Sequence, residues 1–191
     1  MRIILGISGA SGVYMGYKML LALKKIPDCE VHLVISEAGI TNFRLETDLN
    51  IEEIKALADY YYDDTNLAAL IASGSFVTTG MIIMPCSMKT LSAIATGYAG
   101  NLIVRAADVC LKENRKVVLV PREVPLGKIH LRNMSLAADL GCALLPPMLT
   151  FYNQLTSLDE QVDHIIGKIL MQFGLGYQNF SAWRGDQDAA I

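Results

Sequence analysis

Short unbroken apolar runs alternate along the chain with longer segments whose apolar residues recur every three to four positions. The runs cover residues 2–7 (RIILGI), 30–36 (EVHLVIS), 80–87 (GMIIMPCS), 116–123 (KVVLVPRE) and, more briefly, 142–147 (CALLPP). Runs without polar alternation predict strands covered on both faces. Helical spacing predicts helices over 14–26, 38–47, 51–60, 88–100, 102–115, 129–141 and 157–174. Strands separated by helices require right-handed crossovers, and so a parallel sheet with helices on both faces in a single α/β domain. There is no internal repeat and no low-complexity segment. Periodicity fades after about residue 175, which predicts a domain over 1–175 and a C-terminal arm over 176–191.

Composition sharpens this picture. At 191 residues the chain can bury a full core as one domain. Its 52% hydrophobic against 18% charged residues suggests burial against other subunits too. A net charge of −3 without a basic stripe argues against a nucleic-acid partner. No apolar stretch is long enough to span a bilayer. The opening MRIILGISGASG has too short an apolar run for a secretory signal. Cys29, Cys86, Cys110 and Cys142 form no CxxC pair and read as reduced thiols of a cytoplasmic protein.

A Rossmann-like or flavodoxin-like sheet binds ligands outside the carboxyl ends of its strands, at the point where strand order reverses. GISGASG (residues 6–12) follows the first run, Ser36 ends the second, PCSMKT (85–90) follows the third and PRE (121–123) the fourth. Pro146-Pro147 and then Phe151-Tyr152 follow the fifth. Hydroxyls at three of these edges and a cation at the fourth, beside helix N-termini, suit a phosphate. The glycine turn lacks both the Lys-Ser/Thr ending of a triphosphate loop and the GxGxxG spacing, and no acidic residue closes the second run. The pattern favours a mononucleotide with one phosphate. A plain turn, with Ser11, Ser36 and Ser87 only capping helices, fits the same residues.

GISGASG, LETD, SGS, PCSMKTL, RAADVCLKE, VLVPRE, IHL, PPM and FY occur in this order over nearly the whole chain. Together they resemble the UbiX-type flavin prenyltransferases, a branch of the homo-oligomeric flavin-containing Cys decarboxylase superfamily that includes the phenolic-acid decarboxylase B subunits. The resemblance implies metal-independent transfer of a dimethylallyl group from dimethylallyl phosphate to reduced FMN. The product, prenylated FMN, would serve a separate UbiD-type decarboxylase. It also implies a homododecamer. By resemblance Gly9, Ala10, Ser11, Ser36, Ser87, Met88, Lys89, Thr90 and Arg122 surround FMN. Tyr152 and Lys168 hold the donor phosphate, and Ser11 and Glu46 join them in catalysis.

Plainer readings stand beside these. Glu46 and Lys168 suit solvated helix faces, Cys86 a buried thiol, and the tyrosines at 60–62 core and subunit contact. His32 and His164 read as structural or exposed, and His130 as a packing or loop-fixing residue. Arg132, Lys168, Leu155 and Gly100 depart from the commoner family residues, and Lys168 gives up the bidentate fork of an arginine. A non-catalytic FMN-binding subunit or flavin carrier for an aromatic-acid decarboxylase is the alternative. An oxidative cysteine decarboxylase is disfavoured because no histidine lies between residues 37 and 129.

Overall fold

The protein is seen in a computed structural model that describes residues 1–183 and 185. Among these residues six strands form one parallel sheet: β1 (Arg2–Ile7), β2 (Glu30–Ile35), β3 (Tyr60–Asp63), β4 (Gly80–Cys86), β5 (Lys116–Pro121) and β6 (Ala143–Leu144). Their order is β3-β2-β1-β4-β5-β6. Seven α-helices connect and follow them: α1 (Val13–Lys24), α2 (Glu37–Glu46), α3 (Ile51–Leu57), α4 (Met88–Thr96), α5 (Leu102–Lys112), α6 (Lys128–Asp139) and α7 (Leu158–Met171).

The absence of alternation in the apolar runs now has its cause. Ile3, Leu5 and Ile7 of β1 pack on one face of the sheet with Met19, Leu20 and Leu23 of α1 and Ile166, Ile169 and Leu170 of α7. Ile4, pointing the other way, packs with Leu91 of α4 and Ile103 and Ala107 of α5. Successive strand residues face opposite sides, so a strand between two helical layers needs apolar residues at every position.

Two expectations change. The tyrosines at 60–62 form a sixth strand, β3, at the edge of the sheet, and α3 stops at Leu57. Tyr60 is exposed while Tyr61 and Tyr62 are half-buried, as suits an edge strand rather than core. The run at 142–147 shortens to the two residues of β6, because Pro146 and Pro147 cannot donate to a ladder. Elsewhere the ends move by a few residues. Gly97, in the left-handed region at φ 71°, closes α4 four residues before the spacing suggested.

Strand order reverses between β1 and β4. The chain leaves β1 toward β2 on one side, and leaves β4 toward β5 on the other. The loops that follow these two strands therefore diverge and open a crevice between them. Helices α1, α2 and α4 all begin at this carboxyl edge.

Candidate functional site

Ser8 joins the two sides of the crevice. Its buried hydroxyl donates to the Pro85 carbonyl at 3.0 Å and accepts the Ser87 amide at 2.8 Å, while its own amide donates to Pro85 at 3.2 Å. The turn after β1 and the turn after β4 are thus one unit. Gly9 lies so close to α2 that a Cβ on it would sit 2.3 Å from the Ala38 methyl. Gly12 takes φ 94° and is itself the N-cap of α1, so Ser11 does not cap that helix. Among the described residues the amides of Gly9 and Ser11 donate to nothing. Ala10 is buried and its amide bonds the Ser8 carbonyl at 2.9 Å.

Ser36 and Ser87 do cap. Ser36 accepts the Gly39 amide at 3.1 Å to start α2. Ser87 accepts the Thr90 amide at 3.2 Å to start α4, and donates to the Thr90 hydroxyl at 3.1 Å. Each cap satisfies one amide and leaves others of the first turn directed at the crevice. Met88 and Thr90 are buried beneath that turn and Lys89 is exposed above it. Lys89 lines a cleft of about 550 Å³ with Ser36, Ala38, Tyr61, Asp64 and Asn101, over the carboxyl ends of β2 and β3.

Arg122 closes the other side. It follows β5, its amide bonds the Cys86 carbonyl at 3.2 Å, and its Nε donates to the Ser11 carbonyl at 3.2 Å. That bond orients the guanidinium toward the glycine turn, and among the described residues its terminal nitrogens donate to nothing. Arg122 and Glu123 line a second cleft, of about 380 Å³, with Met134 and Pro147. Glu46 ends α2 and accepts the Gly12 amide on Oε2 at 2.7 Å. Amides, helix N-termini and an arginine converge here without room for a side chain at Gly9. That set fits the phosphate of a mononucleotide such as FMN.

Tyr152 and Lys168 lie elsewhere in the chain. Helix α7 runs in the same direction as α1: Tyr14 donates to Asp159 at 2.8 Å and Lys18 pairs with Asp163 at 3.1 Å. It therefore leads away from the crevice. Lys168 is about 14 Å further along the axis than Asp159, and Phe173 beyond it reaches Gly80 at the start of β4. A single chain thus presents two groups, one at the crevice and one on α7.

The α7 group is built around His164, which is buried. The Asn153 side-chain amide nitrogen faces Nδ1 at 3.1 Å and the Tyr152 oxygen faces Nε2 at 3.2 Å. With the Asn153 amide nitrogen donating to Nδ1, the matching tautomer carries its proton on Nε2. In that tautomer Tyr152 accepts the Nε2 proton and keeps its own O–H for another acceptor. Burial lowers the His164 pKa, and the Lys168 charge one turn on lowers it further. His164, the Tyr152 hydroxyl and the exposed Lys168 one turn on thus form a polar group on and just before α7.

A Flavoprotein family model matches residues 1–173. A probable UbiX-like flavin prenyltransferase from Sedimentibacter hydroxybenzoicus is 65% identical over 98% of this chain and 100% of its own. The chain belongs to the UbiX-like flavin prenyltransferases. Among solved structures of the family, a dodecameric FMN-dependent UbiX-like decarboxylase from Escherichia coli O157:H7 superposes with a TM-score of 0.95 at 48% identity, covering 97% of this chain and 100% of its own. AnUbiX (PadA1), solved in complex with FMN and dimethylallyl pyrophosphate, superposes at 0.94 with 42% identity over 97% and 98%.

Three residues of this family member drew no role of their own from the sequence. Ser8 carries no motif of its own beyond its place in the glycine turn. Glu123 was visible only as a neighbour of Arg122. His164, which read as structural or exposed, takes the structural alternative: it is buried and bonded to Tyr152 and Asn153. Its signal was the spacing from Lys168, one helical turn away on α7. Cys86, at the end of β4, is fully buried and burial pushes its thiol well up, followed by the nearby Cys142 thiol. It is no nucleophile.

Proposed function

We propose that this protein joins a dimethylallyl group from dimethylallyl phosphate to reduced FMN, and that the prenylated FMN serves a UbiD-type decarboxylase. The observation that carries this reading is the pair of separate anion stations on one chain. FMN and the donor each bring a phosphate, and a prenyltransferase must hold both while its own groups remain distinct. The relatives' names and the FMN and dimethylallyl pyrophosphate of AnUbiX support the same assignment.

In this reading the crevice residues bind FMN. The Gly9 to Ser11 amides and the N-termini of α2 and α4 take the flavin phosphate, with Ser36, Ser87 through Thr90 and Arg122 around the rest. FMN supplies the nucleophilic ring, and the donor supplies an allylic carbon whose bond to phosphate oxygen breaks. The Tyr152 hydroxyl and the Lys168 ammonium neutralise the charge that grows on that oxygen. Donors already in place need no reorganisation as the bond breaks. Ser11 and the Glu46 oxygen that no described residue occupies stand beside the turn, where a proton must leave the flavin.

Because Lys168 lies well away from its own crevice, the donor station serves the flavin of a neighbouring subunit. The dodecamer of the Escherichia coli relative supports a homo-oligomer here. Four unpaired thiols, all buried, support the cytoplasm as its compartment, and no helix among the described residues is long and apolar enough to cross a membrane.

Lys168→Ala separates the two stations. It should lower the prenylation rate roughly 10²–10³-fold while FMN affinity stays at the parent value. Lys168→Arg should keep the rate or improve donor binding, since a guanidinium adds a fork. Parent-rate prenylation by Lys168→Ala would remove α7 from the donor site. Loss of FMN instead would mean the two phosphate stations are interchanged.

A further inference from the structure

Tyr152 sits in the segment between β6 and α7, half-exposed and outside any helix or strand. Its position rests on the His164 bond and on the edge of Trp183, 5.3 Å away between ring centroids. Trp183 belongs to the C-terminal arm, which has no helix or strand to hold it among the described residues. Two fixtures on α7 hold it instead.

The first is Asp163, a buried carboxylate. Tyr177 donates to its Oδ1 at 3.0 Å and Asn179 to its Oδ2 at 2.9 Å, while Lys18 of α1 pairs with it at 3.1 Å. Each oxygen therefore binds a different arm residue, and the lysine balances the charge. The second is Gly167, one turn on. Phe180 lies directly on it, so that a Cβ there would come within 2.3 Å of the ring. The same ring stands 5.0 Å from the His164 ring. The arm thus covers the histidine that orients the Tyr152 hydroxyl.

We infer that Asp163 and Gly167 are positioning residues for the prenyl donor: they seat the arm, and the seated arm fixes the Tyr152 phenol and the His164 ring beneath it. This rests on the reading that Tyr152 binds the donor phosphate. Neither residue is among the crevice residues of its own chain, and the effect expected of each is on the donor. A helix glycine ordinarily weakens its helix relative to alanine. Its presence at 167 is explained by the ring it admits.

The test uses the full chain with FMN bound and compares the parent with Gly167→Ala, Asp163→Asn and Tyr152→Phe. Trp183 is the only tryptophan, so tryptophan emission reports the arm directly. In Gly167→Ala and Asp163→Asn the emission should move to the red and become more open to acrylamide quenching. Their kcat/KM for dimethylallyl phosphate should fall roughly ten-fold, with FMN affinity unchanged. Alanine favours the helix, so a loss in Gly167→Ala comes with an intact α7. Tyr152→Phe should lower donor kcat/KM without moving the emission. If Tyr152→Phe keeps the parent value, the donor-site reading fails. If Tyr152→Phe is impaired while the two arm variants keep parent kcat/KM, or if neither shifts the emission, the positioning role is overturned.

Discussion

At the scale of single residues, the site depends on a few atoms with no slack. Ser8 is buried, and its one hydroxyl serves both a carbonyl and an amide from the opposite side of the crevice. Ser8→Ala leaves the Ser87 amide without that acceptor, and an orphaned buried donor costs about 1–3 kcal/mol. The expected outcome is a lower denaturation midpoint together with weaker FMN binding, since the turns after β1 and β4 lose their common tie. Calorimetry and flavin titration on the same samples measure both. Unchanged FMN affinity with a lowered midpoint would separate the tie from the ligand site. Gly9, Ser36, Ser87 and Arg122 were legible in the sequence because each follows a strand whose apolar run is unmistakable. Ser8 was not, because its partners at 85 and 87 become neighbours only when β1 and β4 pair.

At the scale of elements, the strands β1, β2, β4 and β5 were readable because burial on both faces leaves short unbroken apolar runs, too short for a buried helix. Edge strand β3 was not. Only one side of it pairs, its tyrosines serve packing and water at once, and the helical spacing of α3 runs up to it. Its hold on the sheet includes His32 of β2, which is buried and stacked 4.9 Å from Tyr60. His32 also faces the Tyr62 hydroxyl at 2.9 Å and Glu30 at 2.7 Å, and Arg2 pairs with that glutamate. Burial lowers the His32 pKa, and the Glu30 carboxylate only partly opposes it. The sign follows from proton binding. The unfolded chain protonates His32 as pH falls through about 6.5, whereas the folded chain waits until a lower pH. Stability is therefore full above that range and falls as pH drops through it. His164, lowered by burial in the same way, adds to the loss. Comparing Tm at about pH 7.5 and about pH 5.5, the parent should lose more than His32→Gln does. Equal losses would show that His32 does not titrate differently on folding.

At the scale of the whole molecule, the two proposed anion stations and the exposed apolar side chains point the same way. Ile129, Leu131 and Leu136 of α6 and Leu140 at its end are exposed, as are Met148, Leu149 and Phe151 before α7. A monomer has no use for so much apolar surface in one part of the chain, and under the proposed function a site split between the crevice and α7 needs a neighbour to be whole. The sequence named Tyr152, Lys168 and the crevice residues but not that α7 leads away from the crevice, because direction along a packed helix is a property of tertiary structure. The central claim is prenyl transfer itself. Incubate the protein with reduced FMN and dimethylallyl phosphate, without oxygen, and determine the mass of the flavin released on denaturation. The account predicts a flavin heavier by one dimethylallyl unit, formed over many turnovers or to at least one per site if the product stays bound. Flavin recovered unchanged from a protein that binds FMN tightly would contradict it and leave an FMN-binding subunit in its place.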